Sequence, residues 1–420
     1  MNPNREKIGR SQNLDLYGLN ISNTKKDYIV DVDGKEYIDF LSCASSLTLG
    51  YQREDLVKAF VDQCQKVPHT CTVYTFSPIV GEYVDALLAT TEIVNPKVLF
   101  GAFGSDSIES AIKSAQVFTG KKKIIAFKKA YHGGTCLSLA SSGFEGLKNN
   151  LHLPDYFFHL DYPDSDLYES TLIAIEELLK SGEIAALLME TILGDGGVIY
   201  PALDFYKQIK SLLERYGALL IFDEIQSGMG RTGKFWSYEH FNIVPDLFCT
   251  AKGLGGGYVP LSACIGRGDV IDAMNNCQNA FTFSSHAASC AVGLRVIQAI
   301  YEEKVLDNVI AASKIICEEF EALKDCDLVE GVRGEGLMLG LALKSEKSLG
   351  PYIGKICLKN GVYVGYYGAN NNVIRIHPAL TVSEESAREG ARRVVKSVLE
   401  FASDPQKYLA DGNFKSFFTE

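Results

Sequence analysis

The chain has 420 residues, more than one ordinary hydrophobic core supports, and this length suits two domains. Its hydrophobic fraction of 46% and charged fraction of 22% are those of a soluble globular protein, and a formal net charge of -11 argues against a broad surface for nucleic acid or an anionic membrane. No apolar run approaches the roughly 20 residues that span a bilayer, residues 1–10 lack a secretory apolar region, and the 11 cysteines show no C-x-x-C spacing, so free thiols in a reducing, cytoplasmic setting are expected.

In chain order, residues 28–40 alternate around Asp33-Gly34, which predicts a hairpin. Residues 98–103 read as a buried strand, followed by a helix with Ile108, Ala111, Ile112 and Ala115 on one face. Residues 123–127 and 185–192 are further strands. Asp204 is expected to cap a helix that presents Phe205, Ile209, Leu212 and Leu213 and closes at Gly217. Residues 218–222, 246–250 and 261–265 are three more buried strands. Beyond residue 305 come amphipathic helices at 309–323 and 384–401, with short strands at 337–343 and 373–376. The β-α-β rhythm with fully apolar strands predicts an α/β fold with a mostly parallel sheet covered on both faces. We expect a large domain over residues 50–305 and a smaller α+β domain built from both ends, 1–49 and 306–420.

Active sites in such sheets lie at strand C-terminal ends, and several polar residues fall there. Asp223 follows five apolar residues, and Lys252 follows the next apolar strand. Alone, each has a plain explanation, as a strand terminus and a solvated loop residue. Together they can share one pocket. An amine that forms an imine must be neutral part of the time, which needs burial or a nearby positive field. A buried carboxylate needs a cationic partner, and a protonated pyridine nitrogen would be one. Gly253, Gly255, Gly256 and Gly257 allow backbone to approach a ring. Gly104-Ser105-Asp106, between a strand and a helix, offers a phosphate site; the alternative is a simple helix cap with Asp106-x-x-Glu109 as a capping pair. Tyr131-His132-Gly133-Gly134 follows a strand end, where an aromatic can lie on a cofactor ring or fill the core.

The stretches Asp223-Glu-Ile-Gln-Ser-Gly-Met-Gly-Arg-Thr-Gly233, Pro245-Asp246 and Lys252-Gly-Leu-Gly-Gly-Gly-Tyr-Val-Pro-Leu-Ser262 resemble the signature of the class III aminotransferases, fold-type-I pyridoxal-phosphate enzymes, and the resemblance runs from about Tyr28 to about Glu385. It implies a large domain with a mostly parallel seven-stranded sheet plus a smaller α+β domain. It implies pyridoxal phosphate held by Lys252 as a Schiff base, with Asp223 on the pyridine nitrogen and Gln226 near the phenolic oxygen. Gly104, Ser105 and Asp106 match the phosphate loop, Tyr131 the stacking aromatic, and His132 its companion. Thr282 matches a threonine that reaches the phosphate of the neighbouring subunit, which implies a homodimer. Glu190 and Asp195 match a Glu-Pro-Ile-x-Gly-Glu-x-Gly stretch, and Arg375 matches an arginine for a substrate carboxylate. The partners implied are a small-molecule amino donor and a 2-oxo acid acceptor.

Some positions depart from the pattern. Ala102-Phe103-Gly104 stands for Asn-Ser-Gly, Ser285-His286-Ala287 for Gly-Asn-Pro, and Thr191 for the proline after Glu190. Asp195 stands where many ω-aminotransferases have a Glu that pairs with the arginine and releases it when an α-carboxylate arrives. The shorter Asp195 puts that gating in question. Transamination is the leading reading. Racemisation, epimerisation or decarboxylation on the same fold is the alternative, because Gly194-Asp-Gly-Gly197, the triple glycine after Lys252 and residues 361–370 are similar to the racemase branch. A racemase needs a second proton donor, for which the sequence offers only Tyr and His residues. Loss of Lys252 or Asp223 would mark a non-catalytic member, and both are present. A dinucleotide enzyme would need G-x-G-x-x-G after an early strand, and no early strand has one.

Overall fold

Six strands of a seven-stranded sheet run in one direction, which brings their C-terminal ends to a single edge. The computed structural model describes residues 4–12, 16–164, 168–368 and 370–409. Its large sheet has the order Pro96–Gly101, Ser262–Arg267, Leu247–Thr250, Leu219–Asp223, Ile184–Glu190, Lys123–Phe127 and Phe157–Leu160. Only Ser262–Arg267 is antiparallel to its neighbours, so its first residue lies at the same edge.

The apolar runs form central strands because both faces are covered. Every residue of Ile184–Glu190 and Leu219–Asp223 is buried. Alternate side chains go to opposite faces, so Leu187 and Met189 join one core cluster with Phe222 and Trp236, while Ala186 and Leu188 join another with Ile108 and Ile112. The helix Gly104–Thr119 supplies the latter pair, and its four predicted core residues are all fully buried. Each such isoleucine stabilises the fold by roughly 1.5–3 kcal/mol. The helix Leu203–Tyr216 ends as predicted at Gly217, whose φ of 61° lets the following N–H of Ala218 return to Leu213 O at 2.9 Å. Its start differs from expectation. Ala202 is the cap, and Asp204 lies inside the first turn, where a carboxylate still complements the helix dipole.

The two ends of the chain meet in smaller sheets. Tyr28–Asp31 and Glu36–Asp39 form the expected hairpin, and Val362–Tyr363 joins it in parallel, with Val362 opposite Ile38. A third sheet has the order Val329–Glu335, Met338–Leu343, Val373–Ile376, Gly365–Tyr367. The helix Val305–Phe320 starts earlier than the predicted 309, because Val305 is itself buried and extends the stripe of Val309, Ala312 and Ile316. Parts of the expected small domain (1–3, 13–15 and 410–420), and Ala369 within the glycine-rich 361–370 stretch, lie outside the described residues. Among the described residues no helix is long and apolar enough to cross a membrane.

Candidate active site

Glu190 and Asp223 end neighbouring strands and face each other in register, and Asp223 is opposite Cys249 on the next strand, three residues before Lys252. A cavity of about 450 Å³ opens at this edge. Gly104, Ser105, Tyr131 and His132 line it, as do Glu190, Asp195, Asp223, Gln226 and Lys252. Residues from five separate strand ends therefore converge, a result that direction and register dictate.

Asp223 is buried and held from two sides. Its Oδ2 lies 2.7 Å from His132 Nδ1, and its Oδ1 accepts the N–H of Ile225 at 3.0 Å. His132, expected only as a companion of Tyr131, thus fixes the rotamer of Asp223. Glu190 accepts the N–H groups of Tyr131 at 2.9 Å and Gly194 at 2.8 Å. Burial, and then the charge of Asp223, push its carboxyl up to about 8 against those two bonds. Burial pulls the Lys252 amine below the usual lysine range, and Arg375 acts in the same direction, while Asp195, Asp223 and Glu190 oppose them. Burial thus moves Lys252 toward the neutral form that a nucleophilic amine requires.

The anion cradle is built by two loops. The helix starting at Gly104 presents its N-terminus to the cavity, and Ser105 Oγ accepts the N–H of Gly134 at 3.2 Å, which ties it to the Tyr131 loop. Gly133 is required there. Its φ is 129°, and a Cβ would fall 2.2 Å from Ser105 Oγ. Asp106 does not line the cavity. It is the third helical residue, and its Oδ2 accepts the N–H groups of Ala102 at 2.8 Å and Phe103 at 3.0 Å. The alternative capping pair of Asp106 and Glu109 does not form, and Glu109 instead accepts from Thr135 Oγ1 at 2.6 Å and Leu137 N at 3.1 Å.

Arg375 lies just behind the lining, almost fully buried. Its Nη2 donates to Asp195 Oδ1 at 3.0 Å and to Gln226 Oε1 at 2.6 Å, and its guanidinium lies 3.7 Å from the Tyr367 ring centroid. The shorter Asp195 therefore does reach the arginine. Gln226 spends its oxygen on Arg375, so its amide N–H groups are what remain for the cavity. Gly194 makes room for this, since a Cβ there would fall 1.9 Å from Gln226 Oε1. Thr282 is exposed and outside the cavity lining of its own chain.

Ser46, Tyr258 and Val259 also line the cavity and were not anticipated. Tyr258 and Val259 sit inside the Lys252 signature, so their proximity was recoverable from it. Ser46 carried no sequence signal. Tyr367 backs Arg375, whereas Tyr74 and Phe76 are 84% and 61% exposed.

Residues 10–398 match the family described as "Aminotransferase class-III". The chain is 32% identical to an alanine/serine racemase of Pyrococcus horikoshii over 88% of its length and 84% of that protein's. It is 33% identical to an acetylornithine aminotransferase of Agrobacterium fabrum, over 86% of this chain and 88% of that one. The solved ornithine aminotransferase of Toxoplasma gondii, crystallised with partial occupancy of pyridoxal phosphate at its active site, superposes with a TM-score of 0.87 at 26% identity, covering 96% of this chain and 94% of that one.

Proposed function

The chain belongs to the class III aminotransferases, and from that premise we propose that it moves an amino group from a small-molecule amine or amino acid to a 2-oxo acid, with Lys252 as the residue that carries the cofactor. The cofactor is pyridoxal phosphate, and the donor set fits it. A helix N-terminus with Ser105 suits the phosphate, the His132-braced Asp223 suits a protonated ring nitrogen, Gln226 offers amide N–H groups for the phenolic oxygen, and Tyr131 suits the ring face. When bound, pyridoxal phosphate supplies an aldehyde for the substrate amine and an electron-withdrawing ring. Lys252 binds that aldehyde and, once displaced, carries a proton to and from the substrate carbon. Glu190 holds the Tyr131 backbone in place. Arg375 takes the substrate carboxylate when Asp195 releases it.

The observation that carries this reading is an amine pulled toward neutrality in one cavity with Asp223 and the Gly104–Ser105 helix start. Lys252→Ala is expected to retain cofactor but lose its visible absorbance as covalently held, with turnover falling roughly 10²–10⁴-fold or more. Normal turnover in that variant would defeat the assignment. A screen of donors against 2-oxoglutarate and pyruvate identifies the substrate pair.

Exposed Phe103 on the cavity lining and exposed Tyr74, Phe76 and Phe283 elsewhere on the surface, with Thr282 beside Phe283, support a homodimer in which Thr282 serves the neighbour's phosphate site. Eleven cysteines outside any disulfide support a cytoplasmic setting. The shared sheet of residues 36–39 and 362–363 supports the division into 50–305 and 1–49 with 306–420.

One observation favours a second reading, amino-acid racemisation. Asp195 lines the same cavity as Lys252, so a carboxylate and an amine both face the reacting centre and either could handle a proton. Chiral chromatography of a single amino acid incubated without oxo acid separates the two. Unchanged configuration of the excess substrate supports transfer, and equalised enantiomers support racemisation.

A further inference from the structure

Ser42, Cys43, Ala44 and Ser45 have consecutive positive φ angles of 48, 48, 56 and 73°. A left-handed turn is costly for L-residues because Cβ crowds the following carbonyl, so four in succession persist only where surrounding contacts over-determine them. Asp39 Oδ1 accepts the N–H groups of Leu41 at 2.8 Å and Ser42 at 2.9 Å. The N–H of Leu47 closes onto Ser42 O at 3.1 Å. Ser45 Oγ lies 2.7 Å from His377 Nδ1. The turn delivers Ser46 into the cavity lining, and Thr48 then reaches the carbonyl of Gly253, beside Lys252, at 3.1 Å.

His377 is fully buried two residues beyond Arg375, and its backbone N–H donates to Phe40 O at 2.7 Å. It is therefore anchored at the base of the same turn. Burial, and then the charges of Arg375, Arg231 and Lys252, hold its ring well below the ordinary histidine range. The ring adds no charge beside Arg375, so it acts through its shape and its bond to Ser45.

We propose that His377 is a positioning residue for substrate selection: through Ser45 it pins the left-handed turn to the Arg375 strand end and so sets how far the Ser46 wall stands from the carboxylate-binding arginine. That spacing fixes the length of donor side chain the cavity accepts. The assignment rests on the aminotransfer reading for Arg375.

The test compares holoenzymes of the parent, Ser45→Ala, His377→Leu and His377→Asn on alanine, 2-aminobutyrate, norvaline and norleucine, with cofactor absorbance recorded for each. Ser45→Ala and His377→Leu are expected to change the ratio of kcat/KM between short and long donors by on the order of tenfold, the scale of a methylene in a shaped pocket. The change should fall mainly in KM, with cofactor absorbance retained. His377→Asn keeps a polar atom near the Nδ1 position and should return toward the parent ratio. Unchanged ratios in every variant would overturn the proposal, as would a loss confined to kcat with altered absorbance. If His377→Leu does not fold, Ser45→Ala removes the same bond with a minimal change and decides alone. If the parent binds cofactor yet transfers from no donor, the aminotransfer reading fails separately, and the same series is read as dissociation constants from the absorbance change.

Discussion

The amine of Lys252 is useful only while part of it is uncharged, and burial supplies that condition more than any single neighbour does. The carboxylates around it work the other way, so the balance among Asp195, Asp223 and Arg375 sets its readiness. Arg375 is restrained by two acceptors, and Gly194 is the small residue that makes the second possible. Gly194→Ala should displace Gln226 and break its bond to Arg375. A lost hydrogen bond to a charged group is worth about 1.5–3 kcal/mol, so KM for carboxylate-bearing substrates should shift while Tm changes less; unchanged KM would detach Gln226 from substrate binding. Lys252, Asp223, Ser105 and Tyr131 were legible in the sequence because their chemistry sits at fixed positions in one contiguous signature or just past a strand end. The Gln226–Arg375 bond and the task of His132 were not, because they join segments 149 and 91 residues apart, and only the fold makes them neighbours.

At the scale of elements, the loop after Leu219–Asp223 is fastened by Glu224, whose carboxylate accepts the N–H groups of Tyr238 at 2.8 Å and Ser237 at 3.0 Å and the hydroxyl of Ser227 at 3.0 Å. Burial nevertheless pushes this carboxyl up to about 8, against those three bonds. The unfolded chain gives up the same proton near the ordinary glutamate value of about 4.3. The stabilisation from keeping it protonated is complete below that value and is lost as pH rises toward 8. Glu224→Gln has no proton to lose, so the fall in Tm between about pH 5 and pH 8 should be shallower in the variant than in the parent. Parallel slopes in scanning calorimetry would show that Glu224 is ionised in the folded protein. Strand and helix cores were readable from apolar runs and from the 3.6-residue stripe. Caps were less so, as Asp204 and Asp106 show. Both have the composition of an N-cap, but the preceding backbone turns into the helix one or more residues earlier.

For the whole molecule, strand direction is the organising fact. Five of the six parallel strand ends on one edge gather residues spread from Gly104 to Lys252 into a single cavity. The β-α-β rhythm predicted this edge, whereas the antiparallel Ser262–Arg267 strand could not be told from a parallel one, because both are continuous apolar runs. The exposed aromatics Tyr74, Phe76, Phe103 and Phe283 predict a dimer in sedimentation velocity. They also predict complementation. Mixing Lys252→Ala chains with Thr282→Ala chains through unfolding and refolding should restore activity in the hybrids, since one of their two sites then has both residues. No recovery, with hybrids present, would assign Thr282 to its own chain's site or to none.

The central claim, amino transfer at a Lys252-bound cofactor, is tested most directly by mixing the holoenzyme with an active amino-acid donor and no oxo acid and measuring the 2-oxo acid released. The account predicts one equivalent per bound cofactor, loss of the visible absorbance, no further reaction, and turnover on adding an acceptor. Continued conversion of the donor into its mirror image without oxo acid release would contradict it.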